Sequence, residues 1–334
     1  MRKGMILASL FLVTFWSLSL SVAAEPIRMR FGHVAPPMHA QHKGALWFAD
    51  YVEKHSGGRI KCSVHPSGQL GAHNQMLEAC QVGTLEMASV AGSALADFVP
   101  QVALISFPFF YATQEEYFSV IQSPIGEKIA AAFPAKGLVC GGWATHGWKA
   151  FLNRKLPITK IEDLRLSKMR VIPNQLFLDT YQAMGVSPVT LPWPEVFSAL
   201  QRGVIDGIDL TLNETWGARI FEVVKYISLC NLGQNPQIYV ASKKFIDGLP
   251  EDLRTIVLKG MKEAAQWHTE KVLGEDKTVV VPDLLKAGIK INTIAESELQ
   301  RFKDAVKPVH EKWKKIVGPD LYEETVAFLR SQKK

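Results

Sequence analysis

Much that would mark an enzyme, a metalloprotein or a membrane channel is missing from this sequence. It has four cysteines, Cys62, Cys80, Cys140 and Cys230, with no C-x-x-C and no close metal-like spacing, which speaks against a thiolate metal centre. An oxidising compartment would permit a disulfide among them, and the spacing does not choose a pairing. Beyond Val22 no apolar run reaches the roughly 18 residues that a membrane-crossing helix needs. Dense basic clusters are absent too. The formal net charge is +6, with charged residues 21% of the chain, so nucleic acid is a poor partner and a small anion a compatible one. H-E-x-x-H, G-x-S-x-G, a phosphate-binding loop and a dinucleotide glycine motif do not occur. His39 and His42 stand three apart without a third ligand nearby, the pattern of exposed histidines at a helix start. No catalytic residue, metal or cofactor is therefore expected.

What is present begins with an export address. Arg2 and Lys3 precede an apolar run from Met5 to Val22, and the small residues Val22-Ala23-Ala24 come before Glu25. This pattern predicts a signal peptide over residues 1–24, cleaved after Ala24, and a soluble protein delivered to the periplasm. No cysteine lies at the cut to carry a lipid. The mature chain is longer than one core usually holds, and its 47% hydrophobic content suffices for two lobes.

The mature chain opens with a strand-like run, Arg28 to Gly32, and a loop from His33 to Pro37. A helix follows from about Gln41 to His55, with Leu46, Ala49, Tyr51 and Val52 at helical spacing and Gly57-Gly58 as its stop. Arg59 to His65 reads as the next strand, an α/β beginning. An internal repeat is more informative. Leu77-Glu-Ala-Cys-Gln-Val-Gly83-Thr-Leu-Glu86 returns as Phe197-Ser-Ala-Leu-Gln-Arg-Gly203-Val-Ile-Asp206. Each copy is an amphipathic helix ended by a glycine suited to a left-handed cap, with a strand directly after it. The matched Gln, Gly and acidic residue predict two lobes built alike.

Thr159-Lys-Ile-Glu162 has the form of a capping box for a short helix, and Lys168 to Ile172 follows as a strand closed by Pro173. Arg170 stands near that strand's carboxyl end, the edge at which open α/β sheets bind ligands. A long amphipathic helix is expected from Leu249 to about Gly274, its buried stripe formed by Leu253, Ile256, Val257, Ala264, Trp267 and Val272. Two more helices, around Leu299 to Val317 and Leu321 to Leu329, carry core aromatics Phe302, Trp313 and Phe328. No low-complexity linker separates the lobes, so several segments should cross between them.

Taken in order, six segments resemble one family: Phe31-Gly-His33, Pro66-Ser-Gly-Gln-Leu-Gly71, Gln81 to Met87, Phe107-Pro-Phe-Phe-Tyr111, Asp163-Leu164 with Lys168-Met-Arg170-Val171, and Glu195 to Gly207. They are similar to the periplasmic solute-binding proteins of TRAP transporters, the tripartite ATP-independent periplasmic systems, of the DctP type. The resemblance covers nearly all of the mature chain. It implies an α/β fold, a two-lobed Venus flytrap with a long helix spanning both lobes. Lobe I is expected over 25–145 with 236–275, and lobe II over 146–235 with 276–334. It also implies a receptor that does no chemistry and probes its surroundings as a monomer, closing on a small organic anion and passing it to the small and large subunits of a membrane permease. A ligand-presenting receptor for a sensor and, further off, a periplasmic enzyme are the alternatives.

Arg170 matches the family's carboxylate-pairing arginine, and a guanidinium offers the planar two-pronged donor face that a carboxylate fits. Trp193, in Leu191-Pro-Trp-Pro-Glu195, falls where the family places an aromatic against the ligand. Glu195 also suits a helix start. The chain departs from the sialic-acid-binding members at three places: Trp148, with Lys149 beside it, stands for their second arginine, Ala91 for a glutamate, and Ile208-Asp209-Leu210-Thr211 for Gln-Glu-Asn-Pro. A smaller anion with an apolar or short body follows, walled by Trp148, Trp193 and Trp216, with Asp209, Asn213 and His33 as polar contacts. Asp209 and Asn213 also suit turns or caps, Trp216 suits the core, and His33 suits a loop brace.

Overall fold

The computed structural model describes residues 25–332. The signal peptide and its cleavage site lie outside the described residues. Ten strands form the frame: β1 (Ile27–His33), β2 (Ile60–His65), β3 (Met87–Ala91), β4 (Leu138–Asn153), β5 (Met169–Val171), β6 (Val189–Thr190), β7 (Gly207–Thr211), β8 (Tyr226–Leu229), β9 (Gln234–Ser242) and β10 (Lys290–Thr293). Their order is β2-β1-β3-β9-β4-β7-β5-β6, with β8 between β4 and β10.

The repeat read from the sequence is a repeat of topology. β1, β2 and β3 pair in parallel in the order β2-β1-β3, and β5, β6 and β7 do the same in the order β6-β5-β7. In each unit the second helix, His73–Val82 or Val196–Arg202, ends at a left-handed glycine, Gly83 (φ 81°) or Gly203 (φ 74°). The next two amides fold back on one carbonyl in both copies, Thr84 and Leu85 on Ala79, Val204 and Ile205 on Ala199. A glycine is needed there because a Cβ is strained at positive φ. The acidic residue of each copy ties the strand's start to its neighbour: Glu86 accepts the amide of Arg30, and Asp206 that of Lys168.

β4 joins the two halves. Its first part, Leu138 to Trp148, runs antiparallel to β9; its last part, Lys149 to Asn153, lies between β7 and β8. Register shifts between Cys140 and Gly142 and between Thr145 and Trp148 turn the strand before it crosses. The long helix Glu251–Glu275 lies directly on β4, and Gly142 permits the approach: an added Cβ there would meet Met261 O and Ala265 Cβ at 2.7 Å. The helix continues through a π segment, Asp276–Val280, into Val281–Lys286, which carries it from the face of the first half to the helix Leu212–Gly217 of the second.

The helix expected from Gln41 runs from Ala40 to His55, but its buried face is Gly44, Ala45, Phe48 and Val52; Leu46 is exposed. Small residues face inward because this helix packs closely on the long one. In the long helix Leu253, Val257, Ala264 and Val272 are buried as the periodicity predicts, while Ile256 and Trp267 lie at the margin of the stripe. Asp163 rather than Glu162 caps the short helix Ile161–Arg165, taking the amides of Thr159 and Lys160. The last two helices span Glu296–Val317 and Pro319–Ser331; Phe302 and Trp313 are in the core and Phe328 packs against it. All four cysteines are free thiols.

The π segment yields a pH prediction. Asp276 Oδ1 is buried without a hydrogen-bond partner, and burial raises the carboxyl to about 7, with Glu275 adding to the rise and Asn213 opposing it. The folded state thus holds this proton more tightly than the unfolded chain. Its contribution to stability is fully present below the ordinary carboxyl value of about 3.9 and is lost as pH rises towards 7. Asp276→Asn should therefore be the more stable protein at pH 8, by on the order of 2 kcal/mol after allowance for partial exposure. Urea titrations at pH 4 and pH 8 test this; an equal effect of the substitution at both values would exclude the carboxyl as the cause.

Candidate anion site at the lobe junction

A cavity opens where the two units face each other, at the carboxyl ends of β3, β5 and β7. β5 delivers Arg170, which is 5% exposed. Its Nε and Nη2 both donate to the Leu191 carbonyl, at 2.8 and 2.6 Å, which fixes the guanidinium plane. Nη1 donates to nothing among the described residues, and Arg170 lines the cavity. Burial lowers its pKa to about 10, with Asp209 and Glu214 pulling the other way, so it remains a cation at neutral pH.

A second buried cation stands beside it. Lys149 Nζ is 2.9 Å from Asp209 Oδ2 and 3.9 Å from the centre of the Phe177 ring. Tyr181 donates to the other Asp209 oxygen at 3.1 Å. Asp209 is therefore committed to holding Lys149. Across the cavity the wall is formed by neutral polar groups: Gln41, whose amide donates to Ser89 Oγ at 2.9 Å, then His73, Ser93, Asn235 and Gln237. Glu214 accepts from Asn235 at 2.7 Å and from Thr211 at 3.0 Å. Burial alone would raise its carboxyl, but His146 and Lys149 outweigh that and hold it below the usual carboxylate range. Burial also keeps His73 neutral, down to about 4, with Arg170 reinforcing it.

Trp193, Ile172 and Leu210 supply the apolar wall. Trp193 opens a single 3-10 turn, Trp193–Glu195, ahead of the helix Val196–Arg202, and Glu195 is exposed at that helix's start. The segment touches the opposite half: a Cβ on Gly68 would meet Pro194 Cγ at 3.4 Å. The polar groups of the wall are almost all buried, so the two halves stand closed around the cavity.

Of the residues singled out from the sequence, Arg170, Trp193 and Asp209 line this cavity, as does Ala91. Four others stand elsewhere. Trp148 pairs with Gln234 and packs against the large core, so the next residue, Lys149, faces the cavity in its place. Asn213 is buried against Asp276, and Trp216 donates to Asp283 at 3.2 Å while packing on the second half's core. His33 is buried with Nε2 3.1 Å from His42, and burial drives its pKa to about 3. Lys149, His146, Glu214, Asn235 and Gln237 are among the wall residues that sequence pattern did not identify. A run of amides, Gln234-Asn-Pro-Gln237, inside a fully buried strand was the available signal.

Two similar α/β units closed around a buried, partly uncommitted cation define a two-lobed solute-binding protein. Residues 31–316 match the model of the bacterial extracellular solute-binding proteins, family 7 (DctP), and the chain belongs to that family. It is 28% identical to the C4-dicarboxylate-binding periplasmic protein DctP of Rhodobacter capsulatus over 333 residues, 98% of this chain and 97% of that one. It is 25% identical to the 2,3-diketo-L-gulonate-binding periplasmic protein YiaO of Escherichia coli over 286 residues, 86% of each. Among solved structures it is similar to a TRAP periplasmic solute-binding protein of Shewanella oneidensis with bound succinate, with TM-score 0.86 and 26% identity over 90% of this chain and 99% of that one. A Polaromonas protein bound to D-erythronate matches with TM-score 0.84 and 26% identity, covering 90% and 98%. No helix among the described residues is long and apolar enough to cross a membrane.

Proposed function

We propose that this protein is the periplasmic receptor of a TRAP-type secondary transporter, which closes on a small organic anion and hands it to the small and large membrane subunits of a permease. The observation that carries this is the Nη1 edge of Arg170: a guanidinium donor held rigidly at a buried cavity, with no acceptor among the described residues. A carboxylate or sulfonate supplies that acceptor, and desolvation strengthens the pair. Trp193 covers the ligand body, and the amides opposite meet any hydroxyl or oxo group it carries. The relatives' ligands, C4-dicarboxylates, succinate, D-erythronate and a diketo acid, support the class. C4-dicarboxylates, 2-oxo or hydroxy acids, aromatic acids and short sulfonates are the candidates.

In this scheme the signal peptide is cleaved after Ala24 and the mature monomer moves freely in the periplasm. The lobes comprise 25–145 with 236–275, and 146–235 with 276–334; support comes from β4 and β9, which cross near those limits. The protein binds and releases its ligand without reaction. A thermal-shift screen of an organic-acid library, followed by calorimetry and recovery of the ligand, tests this: one acid should raise the melting temperature and return unaltered. Chemical conversion of that acid by the purified protein would overturn the receptor assignment.

A further inference from the structure

Beside the anion cavity three histidines meet from three elements. His39 precedes the helix Ala40–His55, His146 lies on β4, and His268 is on the long helix. One ring nitrogen from each lies within 4.8 Å of the other two, with ring centroids 4.6 Å apart for His39 and His146 and 4.9 Å for His146 and His268. None is more than 2% exposed. Nε2 of His39 and both nitrogens of His146 and of His268 have no hydrogen-bond partner among the described residues. Buried ring nitrogens are normally paired, and here one from each ring lies close to one from each of the other two. The sequence marks His39 and His42 as exposed histidines at a helix start; instead His39 is buried, with two companions that the fold brings from far along the chain, while His42 turns to His33.

We propose that His39, His146 and His268 form a binding site for a divalent transition-metal ion, with Zn2+ the best match. Imidazole nitrogens suit zinc and its neighbours, whereas calcium, magnesium and sodium call for oxygen ligands. Zinc–nitrogen distances of about 2.0–2.1 Å in a tetrahedron place ligand atoms roughly 3.4 Å apart, so modest ring rotations close the present spacing. The surroundings also fit. Glu214 Oε1 is 2.9 Å from His146 Nδ1 but out of line for a hydrogen bond. A small turn of the ring gives the carboxylate–histidine–metal arrangement, with Nδ1–H on Glu214 and Nε2 on the ion. With three protein ligands the fourth position falls to water.

Binding requires one local change. His39 Nδ1 accepts the Gln41 amide at 3.1 Å, and ligation through Nε2 moves the ring proton to Nδ1, so this helix cap is given up. Gln41, His39 and His146 all border the anion cavity, so metal occupancy should change anion affinity. That coupling rests on the receptor assignment; the metal site does not.

The test uses chelator-stripped protein titrated with Zn2+ by calorimetry and with Co2+ by visible absorption. One ion per chain is expected, with the intense bands of tetrahedral Co2+. His268→Gln, whose side chain is outside the cavity wall, should weaken Zn2+ binding at least about tenfold and abolish the cobalt bands; His39→Gln serves if that variant does not fold. His65→Ala, on a half-buried histidine of β2 outside the cluster, should leave both unchanged. Absence of stoichiometric binding by the wild type, or an unchanged affinity in the folded His268 or His39 variant, overturns the site. Failure to bind any organic acid would refute the receptor reading and leave the zinc stoichiometry standing.

Discussion

Arg170→Ala should weaken binding of the cognate anion at least about thirtyfold, because losing one partner of a desolvated charge pair costs on the order of 2–5 kcal/mol. The geometry says why a smaller effect is not expected. Nε and Nη2 are spent on the Leu191 carbonyl, so the group is oriented before any ligand arrives, and Nη1 is the edge it offers. Lys149 cannot substitute, being held by Asp209 at 2.9 Å. Arg170→Lys should also lose much of the affinity, since an ammonium cannot anchor to Leu191 and present a planar donor edge together. Affinity should show no titration of the arginine near neutrality, because even at about 10 its pKa leaves it charged. Calorimetry with the ligand found by screening decides the matter: unchanged affinity in Arg170→Ala would remove Arg170 from the anion site.

Arg170 was legible because it sits in a short strand flanked by recognisable punctuation, a capped helix before it and Pro173 after it. The doubled unit was legible for a similar reason, since Gly83 and Gly203 impose the same left-handed stop on the same helix pattern. Lys149 was not. Its orientation depends on a register shift between Thr145 and Trp148, and one residue of slip exchanges the face that a strand presents. Leu46 was misplaced because periodicity marks an apolar stripe without showing that the neighbouring helix demands small residues there. Glu214, Asn235 and the three histidines carry no shared local pattern at all. They meet only because β4, β9 and the long helix cross at the junction of the two units.

Asp209→Leu should be the most destabilising single change in the cavity, by about 3–5 kcal/mol, because it strands a buried Lys149 ammonium beside Arg170. Phe177 offers that ammonium its ring face, which offsets a small part of the loss, and Tyr181 would lose its acceptor as well. The pair as a whole is a different matter from its halves. Replacing both members by apolar groups of similar volume is often neutral, so Lys149→Met with Asp209→Leu should recover most of the stability that Asp209→Leu loses. Urea denaturation of the two single variants and the double should give a coupling energy above about 1.5 kcal/mol, and simple additivity would show that the ion pair does not act as a unit. Asp209→Asn separates stability from recognition. It keeps the shape, releases Lys149, and should shift preference towards dianionic ligands, since the cavity would then offer two uncommitted cations in place of one.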